Sequence, residues 1–369
     1  MNGRVHRDLP SRAEHIGSLL RPRSLKNAFG AFRRGEISAE LLNEVVDASI
    51  IDAIMLQENC GLNTITDGEF RRGSWFLGFV DSVLGLTTQP SMFGFSSEES
   101  AWQCPYAEGA IVRSPDGITI KEYDFLCART SGTPKVTMPA PSAMHFWRGE
   151  KAMDRGIYPD LDKFFEDLTA VYRAEISELA KLGCIYLQFD EVPIAMLCDP
   201  KIQEAVSARG EDPMALLERY ITITNNVLDG RPPNMTVGMH LCRGNYKGRW
   251  MAEGGYEPIA ERLFCSLEVD AYFMEYDTPR AGDFGPLCYM PNDKIVVLGL
   301  ISTKSPQLER KDEIKRRIDE AATIVPLDRL AISPQCGFSS GGGGGQVVTV
   351  DDTRRKLELV LEVARDVWD

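Results

Sequence analysis

Short β-rich runs alternate along the chain with longer stretches in which apolar residues recur every three or four positions. That order is expected of parallel strands joined by crossover helices. Strand-like runs fall at 13–16, 63–66, 135–138, 184–189, 235–239, 271–274, 294–300 and 330–333. Over 39–59, Leu42, Val45, Val46, Ile50, Ala53 and Ile54 share one face of a predicted helix. Further helices are predicted over 161–182, 213–228, 259–267, 306–322 and 351–368. One region departs from the rhythm: 74–134 is rich in Gly, Pro, Ser and aromatic residues with possible hairpin pieces, and it predicts an excursion covering one end of the core.

Eight strand runs are the number that closes a (β/α)8 TIM barrel, with an open doubly wound sheet as the alternative. The polar residues decide between them. Asp67 and Glu69, 139–142, Asp190 and Glu191, His240 and Cys242, Glu275, 302–304 and Cys336 each sit at or just past the C-terminal end of a predicted strand. Eight strand ends meet around one axis in a barrel but lie along a line in an open sheet, so a shared role for these groups favours the barrel. The expected organisation is a single barrel domain over 1–369 with the insertion at about 74–134. Five successive glycines at 341–345 are followed by no lysine-serine pair, so they predict a mobile loop near the mouth and not a nucleotide cradle.

Composition narrows the function classes. The chain of 369 residues is 43% hydrophobic and 26% charged, a soluble globular balance. A formal charge of -13 without a strong basic stripe argues against nucleic-acid or anionic-membrane partners. The run 304–317 carries both signs and reads as a solvated helix face. No stretch of about 18 apolar residues exists to span a bilayer, and 1–10 has charges and a proline where a secretion signal needs an apolar core. Nine cysteines, an odd number spread over a long chain, read as reduced thiols in a cytoplasmic protein.

Some of those thiols are candidate ligands. His240-Leu241-Cys242, Glu275, and Cys336 in Ser333-Pro334-Gln335-Cys336-Gly337 offer an imidazole, two thiolates and a carboxylate, a set that suits Zn2+. Side chains two apart on a continuing strand make a poor chelate, but at a strand's end the backbone curls and both can turn inward. The competing reading is that these cysteines are core fillers.

Ile16-Gly17-Ser18, Asp67-Gly68-Glu69-Phe70, Gln188-Phe189-Asp190-Glu191, His240-Leu241-Cys242, Met274-Glu275-Tyr276-Asp277 and Cys336 resemble, in order and spacing, the catalytic barrel of cobalamin-independent methionine synthases. The match runs from about Ala13 to Trp368 and looks like the short, single-barrel branch that corresponds to the C-terminal catalytic half. The resemblance implies that His240, Cys242, Glu275 and Cys336 bind zinc, with Glu275 the ligand that loosens when a thiol enters. It implies that Ile16, Gly17, Ser18, Glu69 and Asp190 hold the amino-acid part of homocysteine, since an ammonium group wants acidic partners. Trp147 falls where the family places an aromatic against the ring of methyltetrahydrofolate. Lys304, in Ser302-Thr303-Lys304-Ser305-Pro306, stands where the family has a histidine associated with proton transfer, which makes it the candidate catalytic residue and the point of departure.

The expected function is zinc-dependent methyl transfer to a thiol, homocysteine giving methionine. Two alternatives share the metal: alkyl transfer to another thiol, such as an epoxide to coenzyme M, and thiol or zinc binding without turnover. A four-ligand zinc that only staples loops is a further alternative, though a barrel that closes its own sheet has little need of one.

Overall fold

The computed structural model describes residues 9–93, 102–339 and 347–369. The glycine run at 341–345 lies outside them. Ten strands occur among the described residues: β1 Thr64–Ile65, β2 Val83–Pro90, β3 Gln103–Arg113, β4 Thr133–Pro134, β5 Val136–Pro139, β6 Tyr186–Glu191, β7 Thr236–Leu241, β8 Ala271–Glu275, β9 Ile295–Ile301 and β10 Leu330–Pro334. Strands β5 to β10 form one parallel sheet in chain order.

The two edges of that sheet curl toward each other. At the β10 edge Ala13 bridges Ile332, with Glu14 N–H to Ile332 O and Ile332 N–H to Arg12 O both at 2.9 Å. At the other edge β4, one residue upstream of β5, pairs in parallel with β1. The order is that of a TIM barrel, and the open-sheet alternative fails because β10 and β1 both border the same N-terminal segment. The predicted first strand is reduced to its single bridge. Between that segment and β1 the described residues show no ladder: Leu19 N–H to Gly68 O (3.1 Å), Thr66 Oγ1 to Gly17 O (2.7 Å) and His15 Nε2 with Thr64 O (3.0 Å) span the seam instead.

A buried ion pair braces the same seam. Lys135 and Glu14 are wholly buried and lie 3.3 Å apart, and the ammonium also donates to His15 O. It stands 4.9 Å from the ring centre of Phe273 and 5.4 Å from that of Tyr186. Glu14 in turn accepts from Thr64 Oγ1 at 2.9 Å and from Ser11 N–H at 3.0 Å. Ile16, Tyr186, Ala271, Phe273, Val297 and Ala331 form a small buried cluster apart from the main core between strands and helices.

The helices begin and end where their sequences dictate. Ala39–Cys60 starts at Ser38, whose side chain accepts Leu41 N–H, and stops at Gly61, which takes a left-handed φ of 96°. Val350–Trp368 opens on a reciprocal cap between Thr349 and Asp352. The helix predicted over 306–322 begins only at Lys311, because Glu309 turns back to accept Ser302 N–H at 2.9 Å and to pair with Lys356. The described helices also include Arg23–Arg33, Leu77–Ser82, Ile120–Cys127 and Pro200–Ala208, none of them anticipated from periodicity. No described helix is long and apolar enough to cross a membrane.

The insertion after β1 is an antiparallel hairpin of β2 and β3 flanked by Leu77–Ser82 and Ile120–Cys127. Glu175, wholly buried on helix Leu161–Lys181, fastens it. Its carboxylate accepts Thr119 N–H (2.5 Å), Ile118 N–H (3.0 Å) and Thr119 Oγ1 (3.0 Å), and pairs with Arg113 at 2.8 Å.

Removing one partner of a buried ion pair strands the other charge, at a cost of about 3–5 kcal/mol. Glu14→Gln is expected to lower unfolding stability by that order, and Glu14→Gln with Lys135→Met to recover much of it, both read from urea midpoints. Equal losses in the single and double variants would contradict this account.

Candidate active site

The C-terminal ends of the strands surround a cavity of about 410 Å3. Its lining includes Ile16 and Ser18 from the N-terminal segment, Glu69 after β1, Asp190 from β6, His240 and Cys242 from β7, and Cys336 after β10. Trp147 lines it too, against Trp102, and Trp75 and Phe76 of the insertion complete an aromatic set.

His240, Cys242 and Cys336 bring their ligand atoms within 4.8 Å of one another, and the two sulfurs are 3.9 Å apart. The ladder explains this. His240 is the fifth residue of β7, Leu241 ends the strand, and Cys242 follows where the chain leaves the sheet. Asp190 is the register partner of His240, so its Oδ1 meets His240 Nδ1 at 3.1 Å. That carboxylate also accepts Gln188 Nε2 at 2.8 Å, and the same amide reaches Ile16 O at 2.7 Å. Glu191, one residue on, faces the other way to Ser142 Oγ and Ile194 N–H. Burial pushes the Glu191 carboxyl up to about 7.

The thiols are electrostatically unequal. Hydrogen bonding from Cys336 pulls Cys242 well below the usual thiol range against the opposing effect of burial, and Cys336 is pushed up by the same contact. Burial disfavours a charged His240, but the Cys242 thiolate and Asp190 outweigh it and raise the imidazole to about 10.

Glu275 is not part of this cluster. Its Oε1 is paired with Arg280 and with Lys304 Nζ at 3.0 Å, while Oε2 accepts Arg243 N–H at 2.7 Å. Burial opposes its ionisation, yet Lys304 and Arg280 hold its carboxyl down at about 2. Lys304 is nearly buried between Glu275 and Asp277 and, like Glu275, does not line the cavity. The structure thus brings together three of the four predicted ligands and leaves Lys304 behind the fourth.

Gly17 is required by close approach, not by lining. Its φ is 139°, and a Cβ there would stand 2.8 Å from Thr137 Cγ2 and 3.6 Å from Glu69 Oε1. Glu69 itself holds a left-handed φ of 62°, a strained conformation for a residue with a side chain. Its Oε1 accepts from Thr137 Oγ1 at 3.1 Å, and Arg21 Nη2 caps its carbonyl at 2.7 Å. Burial raises the Glu69 carboxyl from 4.5 to about 7, with Arg72 opposing and Asp190 adding.

Trp147 is buried, its Nε1 has no partner among the described residues, and its ring meets Trp102 edge-on at 4.7 Å. Sequence reading missed Arg21, Trp75, Trp102, Asn245 and Tyr246, all of which line the cavity. The available signal for two of them was the presence of tryptophans in a stretch with no helix or strand rhythm.

Residues 12–365 match the model of the cobalamin-independent synthase catalytic domain. The chain belongs to the cobalamin-independent methionine synthase family. Among this family's relatives, it is 37% identical over 368 residues to the uncharacterised protein YxjH of Bacillus subtilis, covering 98% of this chain and 96% of that one. It is 25% identical to the methionine synthase of Pyrococcus abyssi, over 88% of this chain and 85% of the other. A Listeria monocytogenes structure provisionally described as a vitamin-B12-independent methionine synthase superposes with a TM-score of 0.75 at 32% identity, covering 98% of both chains. A B12-independent methionine synthase from Shewanella, solved with selenomethionine, shares the fold at 18% identity and a TM-score of 0.73, over 96% of this chain and 97% of that one.

An acid whose pKa is higher folded than unfolded binds its proton more readily when folded, so stability falls as pH climbs through that interval. For Glu69 the interval runs from 4.5 to about 7. Glu69→Gln in this family member is therefore expected to be more stable than the parent at pH 8, by up to about 3 kcal/mol, with the advantage gone near pH 4.5. Denaturant unfolding at several pH values measures it; a difference constant with pH is the contrary outcome.

Proposed function

We propose that this protein is a zinc-dependent methyltransferase that moves a methyl group from a methyl-folate-type donor to the sulfur of homocysteine, giving methionine. The observation that carries the reading is one cavity bordered by the His240, Cys242 and Cys336 cluster, by the carboxylates Glu69 and Asp190, and by an aromatic wall.

An imidazole and two thiols fit zinc, and three protein ligands with a further position left for substrate are the pattern of a catalytic centre. Bound there, zinc supplies the charge that keeps a substrate thiol deprotonated at neutral pH while leaving sulfur nucleophilic. The chain's own residues do the rest. Glu69 and Asp190 receive the ammonium of the amino acid, and the close approach at Gly17 lets the Ile16 to Ser18 backbone border the same end. Asp190 also orients the His240 ring through Nδ1. Trp75, Trp102 and Trp147 exclude water and offer faces and edges to a flat donor ring. With both held, the deprotonated sulfur attacks the methyl carbon in line, the carbon–nitrogen electron pair stays on the donor nitrogen, and that nitrogen takes up one proton, equal to the one the thiol gave up, so the transfer is proton-neutral overall.

The test is methionine formation from homocysteine and methyltetrahydrofolate carrying one or several glutamates, with and without a zinc chelator. Chelation and Cys336→Ser are each expected to lower turnover on the order of 100-fold or more. Activity indifferent to both would overturn the reading. Turnover of coenzyme M with an epoxide, with homocysteine refused, would replace acceptor and electrophile; full zinc without product from any donor would make this a binding protein.

A further inference from the structure

Behind the thiol cluster lies a buried set of charges that the reaction above does not use. Lys304 Nζ and Arg280 Nη2 both sit on Glu275 Oε1, the lysine at 3.0 Å. Each also faces a second carboxylate: Lys304 is 3.7 Å from Asp277 Oδ2 and Arg280 is 3.7 Å from Asp277 Oδ1. The Asp277 side chain is wholly buried, and neither of its oxygens accepts a hydrogen bond among the described residues. Arg280 Nε is likewise buried and without a partner. A buried carboxylate left without hydrogen bonds is unfavourable, so Asp277 stands ready to take donors.

Two cations therefore lie between two carboxylates, close to one and about an ångström farther from the other. If Glu275 left them for a metal at His240, Cys242 and Cys336, stranded cations would make the move costly. Asp277 removes that obstacle, because a shift of under an ångström by each cation completes an ion pair that is already half formed.

We propose that Asp277 is a positioning residue that accepts Lys304 and Arg280 whenever Glu275 turns to the metal, so that Glu275 joins and leaves the metal without stranding a buried charge. This rests on the metal reading above and adds an exchange to it. In one arrangement Glu275 is on the two cations, as the 3.0 Å contact with Lys304 shows; in the other Asp277 is on them. No bond to hydrogen is made or broken, and the net charge of the four groups is the same in both. Lys304 thereby has a role as a holder of Glu275, distinct from proton donation to the substrate.

The experiment uses the full chain loaded with Co2+, whose visible absorption reports its ligands, together with Zn2+ affinity from competition with a chelator. Parent, Asp277→Asn, Asp277→Glu and Glu275→Gln are compared without any thiol. The expected result is that Asp277→Asn shifts the cobalt spectrum toward that of Glu275→Gln and weakens zinc binding at least tenfold, while Asp277→Glu keeps the parent spectrum. Lys304→Met removes a competitor for Glu275 and is expected to tighten zinc binding several-fold, a readout that stands even if Asp277→Asn fails to fold. The exchange is overturned if a folded Asp277→Asn binds metal as the parent does, if Lys304→Met leaves zinc affinity unchanged, or if Glu275→Gln leaves the parent spectrum unchanged. Failure of the parent to take up either metal would instead overturn the zinc reading itself, and the exchange with it.

Discussion

The Lys135 ammonium braces the seam of the barrel that backbone pairing leaves almost open. On one side the N-terminal segment is tied to β10 by a single bridge; on the other it meets β1 almost without backbone pairing. Lys135 fills the gap by reaching His15 O and Glu14, and Glu14 reaches Thr64 in β1. A buried ion pair of this kind adds little net stability over apolar packing, but it admits few geometries. The geometry it selects places Ile16 and Ser18 on the cavity wall and lets Gly17 pack against Thr137 and Glu69.

Above that brace, electrostatics sort the strand-end residues into separate tasks. Asp190 and His240 meet because they are register partners on neighbouring parallel strands. Glu191 is turned away by the alternation of the same strand and is held by Ser142 and Ile194. Glu69 combines a left-handed backbone with a carboxyl that burial resists ionising. Such a position is unfavourable for folding.

Much of this was legible in sequence, for identifiable reasons. Parallel strands buried on both faces are near-continuous apolar runs, so β5 to β10 stood out, and the polar residues at their ends marked the cavity. The boundaries of β6 and β7 were less visible, because Asp190, Glu191 and His240 are ladder residues that look like the start of a loop. The seam at β1 was hidden, since side chains and not a strand pattern close it. Glu275 reads as a strand-end acid, but its cations come from Arg280 and Lys304 in different loops, and no spacing rule reports that meeting. Lys304 matches by position alone, and position does not say which way a side chain points. Trp75 and Trp102 belong to a stretch whose tertiary placement depends on Glu175, a residue on a helix well downstream.

The cavity is built from two independently anchored parts. Its thiol and carboxylate groups come from the barrel, whereas Trp75, Phe76 and Trp102 belong to the insertion, docked onto a barrel helix through Glu175. Such a division is modular: the aromatic half can be lengthened, reshaped or exchanged with the barrel ladder left in place, and the sulfur chemistry need not be reinvented each time. Divergence within a barrel of this kind has an easy direction, toward new molecules presented to one unchanged nucleophile.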